Sequence, residues 1–256
     1  MIQTFLQILA PSGVGELAMA ALLAASFVAS FITVAFGLGG GAVLLAIMAS
    51  LVPPAALIPA HGVIQAGSNL GRAALTLKHV HWPAIPTFVL GSIIGAASGG
   101  MLVIGLPPAL VQTGVGLFII WSVLGRPPRQ LRDWPVLVGA FSSFLTMFFG
   151  ATGMFVAVYT KALKLPRHGF VATHATLMTV QHGIKTITFG LLGFAFADWL
   201  PFIAAMMICG FAGTLAGRMV LNRLDDRWFR RILDAILLLV AARLVIAGVV
   251  DLFRLS

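Results

Sequence analysis

Apolar positions in this chain come in long runs rather than in alternating or helical stripes. In the first half the runs are 15–36, 42–52, 55–77, 83–104 and 107–125; in the second they are 134–149, 155–163, 169–192, 198–219 and 229–250. About 20 apolar residues are needed for one helical crossing of a bilayer, so most of these segments predict transmembrane helices. The second run of each half has only about ten residues, too few to cross at a rise of about 1.5 Å per residue. Each follows a glycine cluster, Gly37-Leu38-Gly39-Gly40-Gly41 and Gly150-Ala151-Thr152-Gly153. Helix breaks inside a membrane persist only where protein buries them or where they line a cavity.

The two sets of runs are copies. A shift that carries His61 onto His174 also carries Pro53 onto Pro166, Asn69 onto His182 and Arg72 onto Lys185, with no gap. After a short insertion in the second half, Pro83 meets Pro201, Gly95 meets Gly213, Gly99 meets Gly217 and Met101 meets Met219. Repeats of this kind define the architecture before any local detail does.

Composition and charge then fix the solvent and the orientation. Apolar residues make up 60% of the 256 and charged residues 9%, with a mean hydropathy of +1.06. Soluble domains run near 45–50% and roughly 25%, which excludes a water-soluble enzyme, a disordered chain and, with Cys209 the single cysteine, a disulfide scaffold. Residues 1–10 lack a basic stretch and do not read as a cleaved signal peptide. The net charge of +9 comes from 16 Lys+Arg against 7 Asp+Glu. It requires no nucleic acid, because the cations gather in loops as the positive-inside rule expects. Where the first copy is basic (Lys78, His79, His81) the second carries only Asp198. Where the first is uncharged (52–60 and 106–108) the second holds Lys161, Lys164, Arg167 and five arginines of 218–231. With the linker 126–132 inside, 12 of the 16 cations are cytoplasmic. Equivalent loops therefore fall on opposite sides of the membrane. The expected fold is all-α and polytopic, two inverted-topology repeats (1–128 and 129–256), each with about four full transmembrane helices plus one short broken or re-entrant helix. The short segments count as return legs, and both termini fall outside.

Inverted repeats with broken helices are a transporter architecture, with substrate held near the midplane. At each break an opening helix presents unpaired N–H groups and its positive dipole end, which suits an anion. The candidate binding residues at the breaks are Gly37, Gly39, Gly40, Gly41, Gly150, Thr152 and Gly153. Helical spacing puts His61, Gln65, Ser68 and Arg72 on one face of the third run, and His174, Gln181 and Lys185 on the matching face of its copy. Asn69 and His182 coincide under the repeat and complete the set. A plain polar seam, with Arg72 and Lys185 snorkelling to opposite interfaces, is the competing account. Two equivalent stripes, each with a histidine and a cation, favour a lined pathway, since intramembrane ionisable groups are functional by default. All seven acids, Glu16, Asp133, Asp198, Asp225, Asp226, Asp234 and Asp251, lie in loops or toward helix ends. That disfavours a cation transporter and leaves histidine, with an ordinary pKa of about 6.5, as the proton carrier in the core. His79 and His81 are two ligands at most, short of a zinc site. Gly91, Gly95, Gly99 and Gly100 read as a packing face; Met147, Met154 and Met178 read as packing residues. Arg243 is either a snorkelling or a substrate-contacting cation. No cofactor and no metal is expected.

An apolar helix running into F-G-x-G-G-G or F-G-A-T-G, then a short helix, a proline and a polar helix, twice over, resembles the TauE/SafE sulfite exporter family. The resemblance spans roughly 15–250. It implies a secondary transporter, not an enzyme, that exports a small sulfur-containing anion such as sulfite, sulfoacetate or a related organosulfonate across the bacterial inner membrane; the absence of core acids adds the expectation of proton coupling through histidines. A channel, or a carrier of another small organic anion, is the alternative; a membrane metalloenzyme fits poorly because no close histidine cluster occurs. The expected partners are the anion and the lipid bilayer, without nucleic acid, and a homodimer is compatible with this reading.

Overall fold

Prolines and glycines punctuate the chain at the helix boundaries. The computed structural model describes residues 9–36, 39–103, 106–125, 131, 133–220 and 226–255, and among them there is no strand. The helices are α1 (Glu16–Phe36), α2 (Gly40–Leu51), α3 (Pro54–Thr76), α4 (Ile85–Val103), α5 (Pro108–Leu124), α6 (Pro135–Phe149), α7 (Gly153–Ala162), α8 (Arg167–Leu191), α9 (Leu200–Val220) and α10 (Asp226–Leu255). Proline opens α3, α5 and α6, where its missing N–H is no loss and its fixed φ is already helical. Gly150, at φ 76°, closes α6, and its N–H returns to the Thr146 carbonyl at 3.2 Å.

Four segments are long and apolar enough to cross a membrane: Glu16–Ala35, Trp82–Val103, Phe196–Met219 and Asp234–Phe253. Together with the shorter apolar helices they make this a multi-pass membrane protein. Large apolar side chains point outward on these spans, among them Leu17, Met101, Ile208 and Leu239. Two helices with polar faces, α3 and α8, lie against each other and against α4 and α9. They can carry buried polar side chains because protein, rather than lipid, surrounds those faces.

The short helices double back. Gly40 is wedged against the Ala29 carbonyl and Thr33 of α1, and Pro53, just beyond α2, sits beside Gly13. The chain thus reverses after Phe36 and returns along α1 toward its start. In the second half Phe155 of α7 meets Phe141 of α6 edge-on at 5.0 Å, the same reversal. At 12 residues, α2 is about 18 Å long, well short of the roughly 30 Å hydrocarbon core.

The closest pairings join the two halves of the chain. Gly91 and Gly95 of α4 press on the backbone of Val136 and Ala140 in α6, and Gly99 on Phe144 and Met147, so these helices run parallel. Gly213 and Gly217 of α9 lie against the Phe27 and Phe31 carbonyls of α1, again in parallel. Small residues let the backbones meet this closely, where lipid offers no hydrophobic drive for association. The other two pairs are antiparallel. Gly116 of α5 packs on Ala241 and Val245 of α10, and Gly248 returns to Ala109 and Thr113. In α3 and α8, Gly62 meets Lys185, while the far end of α3 leads to His79, whose ring lies 5.3 Å from that of His168 at a tilt of 37°.

Candidate functional site

A cavity of about 620 Å³ lies where α3, α8 and the two breaks converge. Gly39 and Gly41 reach it from the first break, and Gly150, Ala151 and Gly153 from the second. His61, Gln65, Asn69 and Arg72 supply its wall from α3; His174, Met178 and His182 supply it from α8. Exposed Lys161, Arg167 and Asp234 form the rim, and Asp234 is the single acid among the lining residues. The volume falls within the 300–1,000 Å³ range of small-molecule sites.

The α3 wall is a hydrogen-bonded ladder. His61, fully buried, donates Nε2–H to the Gly41 carbonyl at 3.1 Å. Its other ring nitrogen, Nδ1, has no hydrogen-bond partner among the described residues. That nitrogen faces the second break, where a methyl group on Gly150 would lie 3.3 Å away. One turn on, the Gln65 side chain lies against Gly41, and the Gln65 backbone carbonyl accepts from Asn69 Nδ2 at 2.7 Å. Arg72 donates Nη2–H to Asn69 Oδ1 at 2.7 Å and Nε–H to the Ser68 carbonyl at 3.5 Å, and it lines the cavity. A guanidinium held on one edge by a neutral amide retains its full charge for a ligand.

On α8 the histidine contact recurs: His174 donates Nε2–H to the Gly153 carbonyl at 3.2 Å. Its ring lies 5.8 Å from Phe170 in a stacked arrangement. His182 meets His61 edge-on at 6.1 Å, and its Nδ1 is buried without a partner among the described residues.

Of the residues singled out in the sequence, Gly39, Gly41, His61, Gln65, Asn69, Arg72, Gly150, Gly153, His174 and His182 share this cavity. Gly37 lies outside the described residues. Gly40 is buried against α1. Ser68 bonds Ser30 at 3.2 Å and ties α3 to α1. Gln181 donates to Thr152 Oγ1 at 2.6 Å and accepts from Ser142 at 2.8 Å, so both Gln181 and Thr152 are committed to holding the second break. Lys185 is fully buried, packed on Gly62, with Nζ unpartnered among the described residues. Neither cation snorkels to an interface. Arg243 is exposed on α10 and outside the cavity lining.

Sequence reasoning missed Thr33 and Phe170 on the cavity wall, assigned Met154 to packing although it lines the cavity, and counted the rim cations Lys161 and Arg167 only as loop charges. Met178, assigned to packing, also lines it. One signal was available for Thr33: it coincides with Thr146 under the repeat, and the two hydroxyls bond to backbone carbonyls beside the two breaks, Ala29 and Gly150, both at 2.9 Å.

Comparison with known proteins gives one family. The family model described as Sulfite exporter TauE/SafE matches residues 22–244. No curated protein and no solved structure matches the chain.

Proposed function

Because this chain belongs to the TauE/SafE sulfite exporter family, a family of transporters, we propose that it exports a small sulfur-containing anion. Sulfite, sulfoacetate or a related organosulfonate is the cargo and the bacterial inner membrane the barrier. The observation that carries this reading is the charge of the cavity wall: Arg72 and three histidines converge with both helix breaks, and the one acid, Asp234, stays at the rim. An oxyanion there meets a fixed guanidinium and backbone N–H groups at the start of α2 and α7, charge-assisted contacts that do not need a metal.

Reciprocal pairing supports an inverted repeat. The fourth helix of each half packs in parallel on the first helix of the other, and the third and fifth helices pair antiparallel with their own counterparts. Such a pattern is what a two-fold axis in the membrane plane produces. The return of α2 and α7 gives each half an odd number of passes, in keeping with the opposite charge of equivalent loops. On that orientation the cavity opens to the cytoplasm, past Lys161 and Arg167. We further assign proton coupling to His61 and His174, the two imidazoles that hold the starts of the short helices.

The test is a binding screen on purified protein, by thermal shift, of sulfite, sulfoacetate, sulfate and short carboxylates. Stabilisation by the sulfur anions, lost in Arg72→Gln, is the expected result. Stabilisation by carboxylates alone would move the cargo to another class, and no response to any anion would overturn the assignment.

A further inference from the structure

Arg72 and Lys185 occupy equivalent places in the two copies, yet only Arg72 reaches the cavity. Lys185 is at 0% exposure, the largest charged side chain buried to that degree, and its Nζ has no hydrogen-bond partner among the described residues. The His61 and His182 imidazoles near it supply no negative charge. His61 and His182 each leave Nδ1 unpartnered, and the aliphatic end of Lys185 rests on Gly62, where a methyl group would come within 2.5 Å of Cε and 3.3 Å of Nζ. An ammonium removed from water without a counter-charge is unfavourable, and a conformation that brings it an anion relieves that cost.

We propose that Lys185 is the anion-binding cation of a second conformation, open to the opposite face, in which it takes the part that Arg72 plays here. This rests on the anion-transport reading above and adds which cation serves which face. The antiparallel run of α3 and α8 puts Arg72 near the α3 end that meets the start of α8, and Lys185 near the other end. A cavity entered from the Asp198 side would therefore meet Lys185 first. In that conformation Lys185 leaves its seat on Gly62; the anion supplies the differential interaction that a shift between two states requires. The lack of a side chain at Gly62 is what allows the sealed arrangement seen here.

Cysteine accessibility in oriented vesicles tests this, in a Cys209→Ser background with an impermeant thiol reagent. Met154→Cys, on the wall of the present cavity, reports the face of Lys161 and Arg167. Lys185→Cys is expected to label from the opposite face, although it is sealed in this conformation. With Met154→Cys labelled, failure of Lys185→Cys to label from the opposite face overturns the proposal. Should Lys185→Cys not accumulate in the membrane, Gly62→Val in the Met154→Cys protein decides. Crowding Lys185 off its seat is expected to slow Met154→Cys labelling roughly tenfold, and an unchanged rate overturns the proposal. Protection of Met154→Cys by sulfite or sulfoacetate is scored separately. Its absence would count against the anion reading while leaving the sidedness result intact.

Discussion

His61 and His174 make the same contact in two different places. Each directs Nε2 to a carbonyl in the first turn of a short helix, Gly41 at 3.1 Å and Gly153 at 3.2 Å. Each imidazole thereby holds a helix start that lines the cavity.

The proton coupling proposed for this pair has a direct test. In proteoliposomes, a pH gradient is expected to drive sulfite movement through the wild type. His61→Gln and His174→Gln are each expected to lose that driving force while still exchanging anion for anion. Gradient-driven flux equal to wild type in both variants would remove the histidines from the proton path.

Replacing Arg72 tests charge selection. Arg72→Gln keeps a side-chain amide near Asn69 and removes the charge from the wall. The loss of a charge-assisted hydrogen bond, about 1.5–3 kcal/mol, weakens anion affinity roughly tenfold or more. Equal affinity by titration calorimetry, with unchanged melting in detergent, would reassign Arg72 to structure.

Orientation is open to direct test. Ala55 and His168 are both exposed and follow the return legs α2 and α7. As single cysteines in the Cys209→Ser background they are expected to label from opposite sides of the membrane. Labelling from one side would contradict an inverted repeat.

Helix packing predicts a contrast between two glycines. A methyl group on Gly95 would run into the Ala140 backbone, whereas one on Gly183 would meet nothing within 4 Å. Gly95→Ala is expected to cost about 1–3 kcal/mol through overpacking and to lower the melting temperature in detergent. Gly183→Ala is expected to melt as the wild type does. Equal melting of the two variants would refute close α4–α6 contact.

Much of the fold was legible because a membrane imposes long apolar runs and tolerates few breaks. The expected run 15–36 is α1 to within a residue, and 134–149 is α6 likewise. The short helices begin earlier than the apolar pattern, at Gly40 and Gly153 rather than at 42 and 155. A glycine in a first turn is compatible with helix and, at Gly40, is needed for contact with α1. At the far end α10 runs from Asp226 to Leu255, past the apolar limits 229 and 250, since its charged ends extend the helix beyond the run that marks it.

The site was legible only as a set of faces. Helical spacing grouped Ser68 with Arg72 and Gln181 with His174, but spacing fixes an angle on one helix and not the neighbour met there. Ser30 took Ser68, and Thr152 with Ser142 took Gln181. The burial of Lys185 depends on a glycine more than a hundred positions away, a relationship that no local pattern contains.

The cross-half pairings have a consequence for how this protein is made. When synthesis has reached Gly125, α1, α4 and α5 are complete, while the helices that pack on them through glycine contacts, α9, α6 and α10, are still to come. The early helices wait in lipid with those faces open, and a stop before α9 leaves α1 without its mate. A chain cut between 126 and 130 severs none of these pairings, so two separately translated pieces carry everything needed to find each other in the bilayer.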